Sequence, residues 1–178
     1  MMHLFEKPSM PFYKFGEIIY LDKIGEKNWA SFIIESFKRT KKSIDSSLAL
    51  KIARSVKCHP YYVQQLSHIT WNNTNLKANA SVIEQSLNDM IDQNTILYIK
   101  ETENLSDSQF NFLKALASDA KTLSSKETIH KFQLGTSANV IKVKNTLLNR
   151  EIIHVNSGKA EFIDPVYELW FRKNILKK

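Results

Sequence analysis

Beyond Glu26, apolar residues return at three- and four-residue steps, and alternation with a period of two enters only near the C-terminal end. Trp29, Phe32, Ile33 and Phe37 share one helical face, which runs into the basic stretch KRTKK at residues 38–42. A second helix is predicted behind Asp45, an N-cap residue type, with Leu48, Ile52 and Val56 as its stripe. The Cys58-His59-Pro60 step ends it, because proline disfavours helix at the residue before it. Pro60 suits the first turn of a third helix that buries Tyr62, Val63, Leu66, Ile69 and Trp71. The asparagine-rich residues 72–79 predict a loop, and a fourth helix starts at about Ser81 with Val82, Ile83, Leu87, Met90 and Ile91 inward. Ile96, Leu97, Ile99 and Leu105 predict a further short helix. Residues 26–105 therefore read as a helical bundle. Residues 1–25, with Pro8, Pro11, Gly16 and Gly25 around the strand-like EIIYL at 17–21, read as an arm.

Residues 106–178 carry a second pattern, in which each element has its own start signal. SDSQ at 106–109 has the form of a capping box and opens a helix with Phe110, Leu113, Leu116 and Ala117 on one face. SSKE at 124–127, with Ser124 as cap, opens a short helix carrying Ile129 and Phe132. Gly135 offers the positive φ of a tight inter-helix turn, and Thr136 caps a helix to Asn149. Val140, Val143, Leu147 and Leu148 face inward there, with Ala138, Lys142, Asn145 and Asn149 outward. Two strands, 151–155 and 160–163, flank the turn residues Asn156-Ser157-Gly158-Lys159, and Asp164-Pro165 starts a last helix with Val166, Leu169, Trp170 and Phe171. The predicted fold is mainly α: a helical bundle at 26–105, then a winged helix-turn-helix domain at 106–178 with a small β-hairpin wing.

Charge adds a direction to this picture. The net charge is +7, and residues 107–178 hold twelve Lys/Arg against seven Asp/Glu, compared with thirteen against eleven in residues 1–106. The excess cation in the winged-helix half favours a polyanionic partner. Lys126, Ser137, Asn139, Lys142, Asn145 and the wing-tip Lys159 are the candidate contacts to double-stranded DNA: lysines neutralise phosphates, and asparagine amides pair with adenine edges. A protein partner suits the same surface, because the face is only moderately basic.

Catalytic chemistry finds no foothold. Cys58 beside His59 lacks any visible means of lowering the thiol pKa, and His3, His68, His130 and His154 lie on different elements, so neither a nucleophile nor a metal site is expected. Trp29, Tyr61, Tyr62, Trp71 and Trp170 fall on apolar stripes and are expected in the core. The opening residues do not have the form of a signal peptide and no apolar run is long enough to span a bilayer, so a cytoplasmic protein without membrane attachment is expected.

Four segments carry a resemblance: PFYKFGEII (11–19), HPYYVQQL (59–66), FLKALA (112–117) and FIDPVYELWFR (162–172). In this order they resemble the C-terminal half of the archaeal-type AAA+/STAND-like P-loop ATPases of prokaryotes. The resemblance implies that residues 1–25 are the tail of an ATPase core, 26–105 its helical lid and 106–178 a winged helix. A phosphate-binding loop needs closely spaced glycines followed by Lys, and Gly16, Gly25, Gly135 and Gly158 supply no such pair. No cofactor is therefore expected, ATP entering only if another chain supplies the P-loop core. The expected role is a non-catalytic regulatory or interaction module, with DNA binding as the alternative. The family places a glycine where this chain has Cys58.

Overall fold

The computed structural model describes residues 24–120 and 122–176. The arm predicted at residues 1–25 lies outside them, apart from Ile24 and Gly25. The described chain is mainly helical, with a two-stranded antiparallel sheet. Five helices come first: α1 (Glu26–Arg39), α2 (Ser46–Ser55), α3 (Pro60–Asn72), α4 (Ala80–Gln93) and α5 (Thr95–Glu103). Ile33, Phe37, Ile52, Val56, Leu66, Ile83 and Met90 fill the space between them and are fully buried, as the helical spacing predicts.

Local signals and tertiary partners divide the work of starting these helices. Asp45 stands at the N-cap of α2 but gives the helix no side-chain hydrogen bond, and its carboxylate meets Lys77 at 3.1 Å instead. Asn79 caps α4 by accepting from the Val82 N–H. The polar loop before it is tied down: Ser43 N–H donates to Leu76 O and Ala78 N–H to Ser43 O, so two loops pair as an isolated parallel bridge. Tyr61 corrects the expectation of a core residue. It is 62% exposed, because it sits on the outer side of the first turn of α3, edge-on to Tyr62.

The second half contains α6 (Asp107–Ala117), α7 (Lys126–Lys131), α8 (Ser137–Asn149), β1 (Ile153–Asn156), β2 (Lys159–Phe162) and α9 (Pro165–Phe171), followed by a π-helical turn, Arg172–Leu176. Ser106 and Gln109 form the capping box of α6 as predicted. The next cap shifts by one residue: Ser125, not Ser124, accepts from the Thr128 N–H and also donates to Thr128 Oγ1. Buried Thr128 fixes this register against the core, a preference local capping rules do not contain. Strand β1 begins two residues later than predicted, because α8 ends on left-handed Glu151 (φ 55°) with Ile152 N–H reaching back to Leu147 O. Asn156 pairs with Lys159, so the wing turns on Ser157 and Gly158 alone, both at positive φ (47° and 80°). Buried side chains of both halves form one continuous cluster in which Phe112, Leu113, Val166 and Phe171 belong to the second half.

Candidate nucleic-acid interface

Helix α8 is held by its inner stripe. Val140, Val143 and Leu147 are buried against α6 and β1, while Ser137, Ala138, Ile141, Lys142, Asn145 and Asn149 face outward. Its entry is rigid for three reasons. Gly135 adopts φ +79°, Thr136 Oγ1 accepts from the Asn139 N–H, and Asn139 Nδ2 donates to Leu134 O at 2.9 Å. The Asn139 amide thus braces the turn, which leaves Ser137, Lys142 and Asn145 as the outward polar groups of the sequence-predicted set on α8.

Lys126 is exposed at the first position of α7, and Lys159 is exposed on the wing directly after the turn. Lys144 was not among the predicted contacts. It is half-buried beside a cleft of about 690 Å³ between α8, β2 and the end of α6, which Lys57, Ser124, Ile141 and Lys159 also line. Helical spacing alone hides it, since Lys144 lies about 200° around α8 from Lys142.

Ion pairing separates these lysines from the cations behind the cleft, although Lys114 and Lys131 of the same half also form no ion pair among the described residues. Among the described residues, Lys126, Lys142, Lys144 and Lys159 form no ion pair. Cations behind the cleft are neutralised: Lys57 Nζ meets buried Glu168 at 2.5 Å, and Arg172 bridges Glu168 at 2.8 Å and Asp119 at 2.7 Å. Hydrogen bonding to Asp119 raises the Arg172 pKa, and the same bonds hold the Asp119 carboxyl below its ordinary value.

A second polar cluster joins the two halves. Asp164 Oδ1 accepts from the Val166 and Tyr167 N–H groups, capping α9, while Oδ2 accepts from the Tyr62 hydroxyl at 2.5 Å and the Tyr98 hydroxyl at 3.1 Å. Two of the segments that carry the family resemblance, 59–66 and 162–172, therefore meet at a single carboxylate. The cap was legible from Asp164-Pro165; the tyrosines, 102 and 66 residues away, left no local signal. Cys58 stands at φ 55°, a left-handed conformation that glycine adopts without strain. Among the described residues no group of three or more His, Cys, Asp or Glu side chains is placed to hold a metal ion, and no helix is long and apolar enough to cross a membrane.

No curated protein matches the chain. A family model described as a probable winged helix domain matches residues 96–173, beginning inside α5, whose Tyr98 packs on Tyr167 and Trp170 of α9. Over that stretch the chain is similar to this winged-helix family, and its helices α6, α7 and α8, β-hairpin wing and closing helix α9 have the corresponding architecture.

Proposed function

We propose that the chain is a non-catalytic binding module that docks on double-stranded DNA through α8 and the wing. The observation that carries this is the exposure or half-exposure of lysines without acidic partners on α7, α8 and β2, on the surface formed by the third winged-helix helix and the wing, whereas Arg150, Arg172 and Lys173 of the same half are paired with carboxylates. Lys126, Lys142, Lys144 and Lys159 would contact phosphates, with Ser137 and Asn145 reaching base edges from the outward face of α8. Titrating the full chain into a labelled duplex tests this. Binding is expected to weaken steeply with salt, and Lys142→Glu or Lys159→Glu to weaken it for all sequences and lower the salt slope by about one each. No binding at low salt overturns it.

A second reading is a lid-plus-winged-helix module that works with a P-loop ATPase core on another chain. The junction of segments 59–66 and 162–172 at Asp164 favours it, since the two halves then act as one body. The chain would contribute no nucleotide-binding loop. ATP turnover by the purified chain alone, above that of an inactivated control, overturns the non-catalytic assignment in both readings.

A further inference from the structure

Among the described residues β2 pairs with β1 alone, so it has one neighbour and one open edge. The alternation of an antiparallel ladder fixes which groups that edge presents. Ile163 N–H donates to Ile152 O directly opposite, so His154 with Glu161 and Asn156 with Lys159 are also hydrogen-bonded pairs, and Ala160 and Phe162 stand in the intervening ones. The N–H and C=O groups of Ala160 and Phe162 therefore point away from β1, and among the described residues no hydrogen bond takes them up. An open strand edge of this kind is a template for a further strand.

The edge borders the cleft of about 690 Å³ that α8 and the end of α6 wall on the other side. Phe112, Leu116, Leu123 and Ile141 give the cleft an apolar lining, and Ile141 is 59% exposed. Its charges do not balance. Asp119 and Glu168 are held by Arg172 and Lys57, and Glu161 faces His154 at 3.8 Å across the hairpin. Lys144 and Lys159 remain without an ion pair among the described residues, which leaves the lining a surplus of positive charge. A free backbone edge, an apolar floor and two free lysines are together complementary to an extended peptide that mixes apolar and acidic side chains, since a strand sends successive side chains to opposite faces.

We infer that the open edge of β2 is a docking site for a short acidic segment of a partner protein, which adds to the wing as a third strand. Its main chain pairs with Ala160 and Phe162, its apolar side chains enter the cleft, and its Asp or Glu residues meet Lys144 and Lys159. Strand β2 offers four residues, about 13 Å of edge, which sets the length of the paired segment. Duplex DNA satisfies the lysines but has no use for the backbone edge or the apolar lining, so this inference stands apart from the proposed DNA contact.

Selection from a random-peptide phage library on the full chain, followed by fluorescence anisotropy with synthetic copies of the enriched sequences, tests it. Enriched sequences are expected to alternate Asp or Glu with Val, Ile, Leu or Phe. N-methylation of every second peptide nitrogen should abolish binding in one register and spare it in the other, the signature of a strand paired along a single edge. Ala160→Pro removes an outward N–H and leaves the bonds to β1 in place; it should weaken binding roughly tenfold or more with helicity retained, and Lys144→Glu should do the same. The N-methyl comparison reads the edge on the unaltered chain, so it decides the matter even where Ala160→Pro fails to fold. A library that yields no enriched sequence, binding indifferent to both N-methyl registers, or peptides that bind Lys144→Glu as tightly as the unaltered chain overturns the inference.

Discussion

The Tyr62 hydroxyl, on the third helix, donates a 2.5 Å hydrogen bond to the Asp164 carboxylate that caps the last helix. One oxygen of Asp164 starts α9, and the other gathers Tyr62 and Tyr98 from the helical half. The geometry of the winged helix relative to the bundle therefore depends on a carboxylate with two unrelated tasks.

Asp164→Ala should be markedly more damaging than loss of an ordinary cap. It removes the acceptor for two backbone N–H groups and strands two largely buried phenols, for a combined loss of about 2–4 kcal/mol. Tyr62→Phe removes one bond and should cost about 1 kcal/mol. Urea unfolding of both variants and their combination checks this. A double variant whose loss is the simple sum of the two singles counts against coupling through the carboxylate.

The same tyrosines make the fold sensitive to alkali. Burial raises Tyr62, Tyr98 and Tyr167, and pushes the Tyr167 phenol from 10.0 up to about 12. The native state keeps the Tyr167 proton while the unfolded chain loses it, so this contribution is complete below pH 10 and declines towards about pH 12. The slope is about 1.4 kcal/mol per pH unit for each such phenol. Tyr167→Phe should flatten the decline between those limits in pH-dependent denaturation. An unchanged slope rejects the assignment.

Arg172 holds two carboxylates at once. Arg172→Met leaves buried Glu168 with Lys57 as its remaining ion-pair partner among the described residues and should cost about 1–3 kcal/mol. The same change should raise the Asp119 pKa towards 3.8, since the Arg172 hydrogen bond is the first cause of its depression. NMR titration of the Asp119 side chain reads this directly, and an Asp119 pKa that does not move contradicts it.

The turn into α8 allows an opposed pair of substitutions. Gly135→Ala places a Cβ at φ +79° and 3.4 Å from Asn139 Nδ2, and should destabilise by about 1–2 kcal/mol. Gln133 is exposed at φ 53°, so Gln133→Gly should stabilise by up to about 1 kcal/mol by relieving left-handed strain. Thermal unfolding of the two variants should move in opposite directions. A common direction excludes backbone conformation as the cause.

Much of the fold was legible because its signals are short-range. The Ser106–Gln109 box, the Thr136 cap, Gly135 and Asp164-Pro165 each act within four residues, and the inward stripes of α6 and α8 follow from helical spacing alone. Misplacements arose where two local choices were nearly equal. Ser124 and Ser125 are both competent caps, and burial of Thr128 selected the second. Tyr61 and Tyr62 adjoin on one helix, and the direction of packing sent one to the junction and the other to the surface.

The candidate interface divides in the same way. The outward exposure of Ser137, Lys142 and Asn145 follows from the periodicity of α8, and that of Lys159 from the turn beside it. The place of Lys144 in the cleft and the neutralisation of Lys57 by Glu168 were decided by tertiary structure, whereas the commitment of Asn139 to Leu134 O is a local turn contact, five residues back, that helical spacing alone does not contain. The sequence by itself determined where helices begin and which faces are apolar, since propensity and capping act through neighbours along the chain. Only the tertiary structure decided which carboxylate, phenol or lysine is engaged, because those partners lie up to 111 residues apart and hydrogen bonds depend on distance in space.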